Sequence, residues 1–265
     1  MSAPRQSGHG SIEDMLAALS DGRLRVVDLT NELSSETPTL TLPEPFSNLI
    51  DFSLEEVSAF DDSGPLWRHN NIHTGEHIGT HLDAPRHWIS NRDGAGVSEI
   101  PVGRLVGPAQ VIDISEKVKL NPDYLLEVDD LLAWEAEHGP LLPGSWLLVR
   151  SGWDEFARNE AAFLNVSEGV SHTPGISAAA ARWLAEQSPI VGYGVETVGI
   201  DAGNAFVLEP PMPAHHFLLE ADKYGVTSLQ NLASLPATGA AVIVSPLPIV
   251  GGTGSPARVL AIIAS

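Results

Sequence analysis

No cysteine occurs anywhere in the 265 residues. That excludes disulfides, thiolate metal sites and cysteine nucleophiles, so any metal must be held by nitrogen and oxygen donors. Basic residues are also scarce: 14 Lys and Arg stand against 34 Asp and Glu, a formal charge of −20. A surface that negative repels phosphate backbones and anionic headgroups, so neither nucleic acid nor membrane is expected as a partner. There is no apolar run of roughly 18 residues, the length needed to cross a bilayer. The opening MSAPRQSGHG lacks the apolar segment of a secretory signal, and a soluble cytoplasmic protein is expected. A repeat period, a G-x-G-x-x-G fingerprint and a P-loop are missing too, which leaves repeat, dinucleotide and phosphate-cradle readings without support.

What is present suits a compact globular protein. Apolar residues make up 43% and charged residues 18%, enough to bury a substantial core. Residues 1–10 read as a flexible tail and 11–265 as a single domain. Ser11 caps a short helix ending near Gly22, and Leu24–Thr30 is a strand by its β-branched content. A proline-rich loop follows over 37–48. Strands are expected at 108–115 and 145–151 around a helix at 128–138, and a further helix covers 154–163. Ser177 caps an alanine-rich helix that leads to a strand at 190–196. Two strands, 240–245 and 257–263, close the chain around Gly251-Gly252-Thr253-Gly254, which reads as a turn because no Lys and no helix follow it. This pattern predicts an α/β fold: one domain with a mixed, largely buried β-sheet core flanked by helices.

The densest chemistry lies between Asn71 and Trp88, in NIHTGEHIGTHLDAPRHW. His77, His81 and Asp83 share one parity, so an extended strand would turn all three to one face. A helix is the competing geometry, since His69, His73, His77 and His81 recur every four residues. Gly75, Gly79 and Pro85, together with β-branched Ile72, Thr74, Ile78 and Thr80, favour a strand that breaks at Pro85. Gly79 is expected to leave room for an ion. Two imidazoles and a carboxylate suit Zn²⁺ or Mn²⁺, and three protein ligands leave positions open for water and substrate. His87 lies just beyond the ligands, and an ordinary histidine pKa near ~6.5 suits a proton shuttle. Trp88 and Trp67 are aromatic flanks that could wall a planar substrate, with core packing the competing role for either alone. His69, His73, His138 and His172 are read as surface or structural residues.

The stretch His77-x-Gly79-Thr80-His81-x-Asp83-Ala84-Pro85-x-His87 resembles the signature of the cyclase family of metal-dependent hydrolases, which includes kynurenine formamidases, a dienelactone hydrolase and isatin hydrolases. The likeness continues through Val-Asp-Leu-Thr at 27–30 and the Thr-Pro loop beyond it. It extends to Pro174-Gly175-Ile176-Ser177, to Gly194-Val195-Glu196-Thr197-Val198-Gly199-Ile200-Asp201, and to Pro213-Ala214-His215 with Gln230-Asn231-Leu232. It implies a domain of the swivelling β/β/α kind, with His77, His81 and Asp83 as metal ligands and His87 as general acid/base. The same likeness places His215, Ser228 and Phe46 on the substrate. His215 and His216 are adjacent, so on a strand only one faces the site, and the family position favours His215. Gln230 stands where formamidases carry Glu, which argues for one ion per chain, Mn²⁺ or Zn²⁺.

The expected function is a hydrolase opening a cyclic amide with hydroxide generated at the metal, isatin to isatinate being the specific reaction. An arylformamidase acting on N-formylkynurenine and a lactone hydrolase are the enzymatic alternatives. A metal-binding sensor or scaffold is the alternative from another class. The resemblance also implies a homo-oligomer, a dimer, with a small aromatic molecule as substrate.

Overall fold

The alternation of apolar strands with helices between residues 106 and 226 builds the core of the computed structural model, which describes residues 11–265. Val106–Asp113, Trp146–Arg150, Gly192–Val195 and Tyr224–Val226 lie side by side and parallel. Parallel neighbours need long crossovers. Helices Val128–His138, Ala178–Gln187 and Pro213–Glu220 lie in these three connections. Antiparallel strands complete the sheet: Ala240–Pro246, Gly254–Ala264 and Leu24–Asp28 on one flank, His81–Asp83 on the other. Gly254 pairs with Asp83, Ser255 with Leu82 and Pro256 with His81, so the two flanks meet and the sheet closes into a barrel. The mixed, helix-flanked sheet is as expected; its closure is a feature that local periodicity does not carry.

Two apolar clusters follow from the pleat, since alternate residues of a strand face opposite ways. Val111, Trp146 and Leu148 join Leu82, Tyr224, Val242 and Val259 on the barrel side. Ile112, Leu147 and Val149 pack outward against Trp134, Leu184 and Leu218 of the helices. The central strands are therefore covered on both faces, which is why their sequences read as continuous apolar runs.

Several local expectations hold. Ser11 caps the helix Ile12–Ser20 and exchanges hydrogen bonds with Asp14, and Ser177 Oγ accepts from the Ala180 amide at the start of Ala178–Gln187. Three do not. The helix expected over 154–163 is a 3₁₀ turn, Trp153–Phe156, and a separate helix, Glu160–Leu164. Asn159 splits them by capping the second, its Oδ1 accepting from the Ala162 amide at 3.1 Å, a local alternative to continuing the helix. The pair His215-His216 lies on the helix Pro213–Glu220, not on a strand. The extended stretch through His77 to Asp83 is interrupted as well: one strand ends at His73, residues 74–80 turn, and only His81–Asp83 is strand. The flexible tail assigned to residues 1–10 lies outside the described residues.

A two-stranded hairpin, Ser53–Ala59 with Arg68–His73, stands apart from the barrel with almost every residue exposed. At the opposite extreme of burial, Glu196 follows the strand Gly192–Val195 and is 1% exposed. Its Oε2 accepts from the Ser151 amide and hydroxyl and the Trp153 amide at 2.8, 2.9 and 3.1 Å, while Oε1 has no partner among the described residues. Burial, assisted by the Asp154 charge, pushes this carboxyl up to about 7. The folded chain thus binds a proton that the unfolded chain has released above a carboxylate's ordinary ~4.3, and stability declines as pH rises from there through about 7. Glu196→Gln is expected to raise stability at pH 8, by up to about 3 kcal/mol, and to change it little at pH 5. Denaturant midpoints at the two pH values measure this; an equal shift at both would assign the effect to packing.

Candidate active site

The interrupted strand is what assembles the site. At Gly79 φ is +61°, a region that favours glycine, and a Cβ there would stand 2.6 Å from Leu33 Cδ2. Gly79 therefore serves the turn and its packing against Leu33, which corrects its expected role of making room for an ion. The turn folds His77 back onto the barrel rim so that its Nδ1 lies 2.7 Å from Asp83 Oδ1. Two residues apart on one strand, His81 and Asp83 share a face, and His81 Nε2 lies 3.3 Å from the same Oδ1. His81 Nδ1 donates to the Gly79 carbonyl at 2.8 Å, which leaves Nε2 as the nitrogen facing Asp83. Thr227 Oγ1 sits 3.0 Å from that Nδ1 as well.

His87 follows on a 3₁₀ turn, Pro85–His87, and stacks on His77 with ring centroids 3.9 Å apart. Donor atoms of His77, Asp83 and His87 fall within 4.8 Å of one another. Proximity thus groups His87, rather than His81, with His77 and Asp83, whereas the hydrogen bond to Gly79 aims His81 at Asp83.

His215 enters from the helix Pro213–Glu220. Its Nδ1 lies 2.6 Å from Asp201 Oδ2 and its Nε2 points toward Asp83 Oδ2 at 3.9 Å. Asp201 also accepts from the Ala214 and His215 amides at 2.7 and 3.0 Å, so one carboxylate caps this helix and orients its histidine. The Trp88 ring is 4.8 Å from His215 and forms an aromatic wall. His216 turns to Glu220 instead, at 3.8 Å.

Charge sorts these groups. Burial alone would raise Asp83, but the His81 and His77 imidazoles outweigh it and hold the carboxyl well below the ordinary range. His87 is pushed down to about 3, chiefly by burial, with Asp83 opposing and His77, His215 and His81 adding repulsion. His215 moves the other way: burial lowers it, yet Asp201 and Asp83 together lift it above its usual value. An imidazole held neutral by burial thus stands 5.5 Å, centroid to centroid, from one whose pKa is raised by two carboxylates.

The donor set tests well against a divalent cation. Asp83 is 1% exposed, an anion that deep requires compensating charge, and two imidazole nitrogens converge on its Oδ1. Two nitrogens and one oxygen suit Zn²⁺ or Mn²⁺.

Other expected site residues are placed differently. Phe46 is half exposed and pairs with Phe206, centroids 6.2 Å apart, not with Trp88. Trp67 lies on the hairpin beside His69. Ser228 is buried next to Thr227 with φ +52°, and its carbonyl accepts from Thr80 Oγ1 at 2.8 Å. Gln230 donates to the Leu229 carbonyl. Sequence reading missed Thr227, Asp201 and Thr253, whose Oγ1 is 2.9 Å from His77 Nε2. Asp201, in the Gly-Ile-Asp of a quoted block, carried the one available signal.

The Cyclase family model matches residues 27–202. The chain is similar to the isatin hydrolase of Roseibium aggregatum, 42% identical over 260 residues that cover 97% of this chain and 98% of that protein. A kynurenine formamidase of Bacillus cereus is 28% identical over 240 residues, 88% of this chain and 94% of its own. Among solved structures, an isatin hydrolase bound to the product analogue thioisatinate superposes with a TM-score of 0.93 at 41% identity, covering 99% of this chain and 100% of that one. Isatin hydrolase A from Ralstonia solanacearum gives 0.92 at 43% identity, covering 98% and 100%.

Asp201→Asn keeps the shape but weakens three hydrogen bonds at once. It is expected to lower unfolding stability by roughly 1–3 kcal/mol, read from denaturant midpoints; an unchanged midpoint would deny Asp201 its capping role.

Proposed function

Because the chain belongs to the Cyclase family, we propose that it is a metal-dependent hydrolase that opens isatin to isatinate. The observation that carries this reading is the convergence of His77, His81 and Asp83 beside an uncharged His87, in a chain alike along nearly its whole length to isatin hydrolase. His77 Nδ1, His81 Nε2 and Asp83 Oδ1 would hold one Zn²⁺ or Mn²⁺ per chain. When bound, such an ion supplies a Lewis acid and lowers the pKa of water from ~15.7 toward ~7.

The protein's own groups then divide the work. Hydrolysis adds hydroxyl to the amide carbon and a proton to the ring nitrogen. His87, placed beside the ligands, is assigned to relay the proton from the attacking water to the departing nitrogen; held neutral with its pKa down at about 3, it is a weaker base than the ordinary imidazole expected from the sequence. His215 Nε2, with Nδ1 held by Asp201, is a donor for negative charge developing on the carbonyl oxygen. Trp88, against His215, offers a flat apolar face to the bicycle. Phe46, paired with Phe206, would cover the substrate from the loop side, and Ser228, next to Thr227, would contact it. A carbonyl adjacent to a ketone is strongly electrophilic, so a single ion suffices, in keeping with Gln230 in place of a second-site carboxylate.

N-Formylkynurenine fits less well. Its charged amino-acid tail needs a cation, and Arg86, the arginine nearest in sequence, is already held by Glu99 Oε2 and the Gly94 carbonyl at 2.8 and 2.9 Å. A lactone is the remaining enzymatic alternative, and a sensor or scaffold would not require His87. The exposed hairpin carries Leu54, Val57, Leu66, Trp67 and Ile72. A lone two-stranded ribbon is marginal in water, which supports a homodimer covering this face. The cysteine-free, acidic chain suits a soluble cytoplasmic enzyme, and among the described residues no helix is long and apolar enough to cross a membrane.

Two outcomes are expected. Wild-type enzyme should show a clear kcat/KM preference for isatin over N-formylkynurenine, followed by ring-opening absorbance; the reverse preference would replace this reading with arylformamidase. His87→Ala should keep its metal, by elemental analysis, yet lose about 10²- to 10⁴-fold in kcat. Loss of metal in that variant would make His87 a ligand.

A further inference from the structure

The loop Gly251-Gly252-Thr253-Gly254, a plain turn by sequence, wraps around His77. The Thr253 amide and hydroxyl both donate to Glu76 Oε2, at 3.0 and 2.7 Å, while Thr253 Oγ1 lies 2.9 Å from His77 Nε2. Glycines permit the approach. A Cβ at Gly252 would stand 2.8 Å from Glu76 Oε1, and one at Gly254 2.5 Å from His77 Cε1. The Ala84 amide donates to the Thr253 carbonyl at 2.9 Å, so the loop is also tied to the residue after Asp83.

Hydrogen-bond direction runs one way through this chain. A carboxylate only accepts, so the single hydroxyl proton of Thr253 goes to Glu76. The Thr253 oxygen is then left to accept, and His77 must present Nε2–H to it. Without that demand a neutral His77 could carry its proton on Nδ1, where Asp83 Oδ1 waits at 2.7 Å and the lone pair would be blocked. We infer that Glu76 and Thr253 are positioning residues that fix His77 with its proton on Nε2, keeping the Nδ1 lone pair turned to the Asp83 side for a divalent ion. This rests on the metal site proposed above. Residues that orient a metal-binding histidine typically change affinity by about 10- to 100-fold.

Zn²⁺ alone is the probe, bound to full-length protein labelled with ¹⁵N-histidine. Two-bond proton–nitrogen correlations should show His77 coordinated through Nδ1 with a slowly exchanging proton on Nε2. Coordination through Nε2 would overturn the relay whatever the variants do. By chelator competition, Thr253→Val should bind Zn²⁺ about 10- to 100-fold more weakly and lose protection of the Nε2 proton, whereas Thr253→Ser, which keeps the hydroxyl, should stay near wild type. Glu76→Gln, able to donate back to Thr253 and reverse its hydroxyl, should also weaken binding, and it stands in if the valine variant does not fold. Wild-type affinity and proton exchange in both Thr253→Val and Glu76→Gln would refute the relay while leaving the metal site intact. Wild-type protein that takes up no Zn²⁺ would overturn the metal site, and the relay with it.

Discussion

A carboxylate removed from water must be met by positive charge or by hydrogen bonds, and Asp83 sets that condition at the centre of the molecule. Its immediate response is the pair of imidazoles, His77 and His81, that face Oδ1. A second buried carboxylate, Asp201, shifts the balance on the far side by holding His215 above its ordinary pKa. His87 is enclosed among these rings, and burial outweighs the pull of Asp83 and keeps it uncharged. Opposite pKa shifts of two neighbouring histidines therefore arise from their surroundings, burial at His87 and the Asp201 and Asp83 carboxylates at His215, not from any difference in the histidines themselves.

Much of this was legible in the amino-acid order. The parallel core strands announced themselves as apolar runs because both of their faces are covered, and Ser11 and Ser177 marked helix starts because short hydroxyl side chains satisfy free amides there. His81 and Asp83 were readable as a pair because a spacing of two on a strand is a statement about direction. His77 was expected nearby on the same parity, and it arrives by a different route. The backbone leaves the extended region at Gly79, so a turn, not a shared strand face, brings its ring to Asp83. Right company was inferred from wrong geometry.

What local patterns could not carry depends on long-range pairing. Barrel closure is decided by backbone edges that meet, and an edge has no residue signature beyond the strand itself. His215 and His216 were weighed on a strand, yet they lie on a helix that opens with Pro213, a residue well tolerated in a first turn. Thr227, Asp201 and Thr253 were missed because each acts on a histidine distant in sequence. A threonine hydroxyl at such a distance looks like any surface threonine until the chain has folded.

The pairing of Pro256 with His81 spans most of the chain, and this orders events in time. A nascent chain emerging from the ribosome carries His77, His81 and Asp83 long before the strand that closes the barrel against them. Until that strand docks, the histidine cluster has one open edge and Asp83 lacks its backbone partner at Gly254. Contacts of such high sequence separation form late and slowly. The histidine cluster thus gains its closing edge only when the last strand, Gly254–Ala264, docks against His81–Asp83.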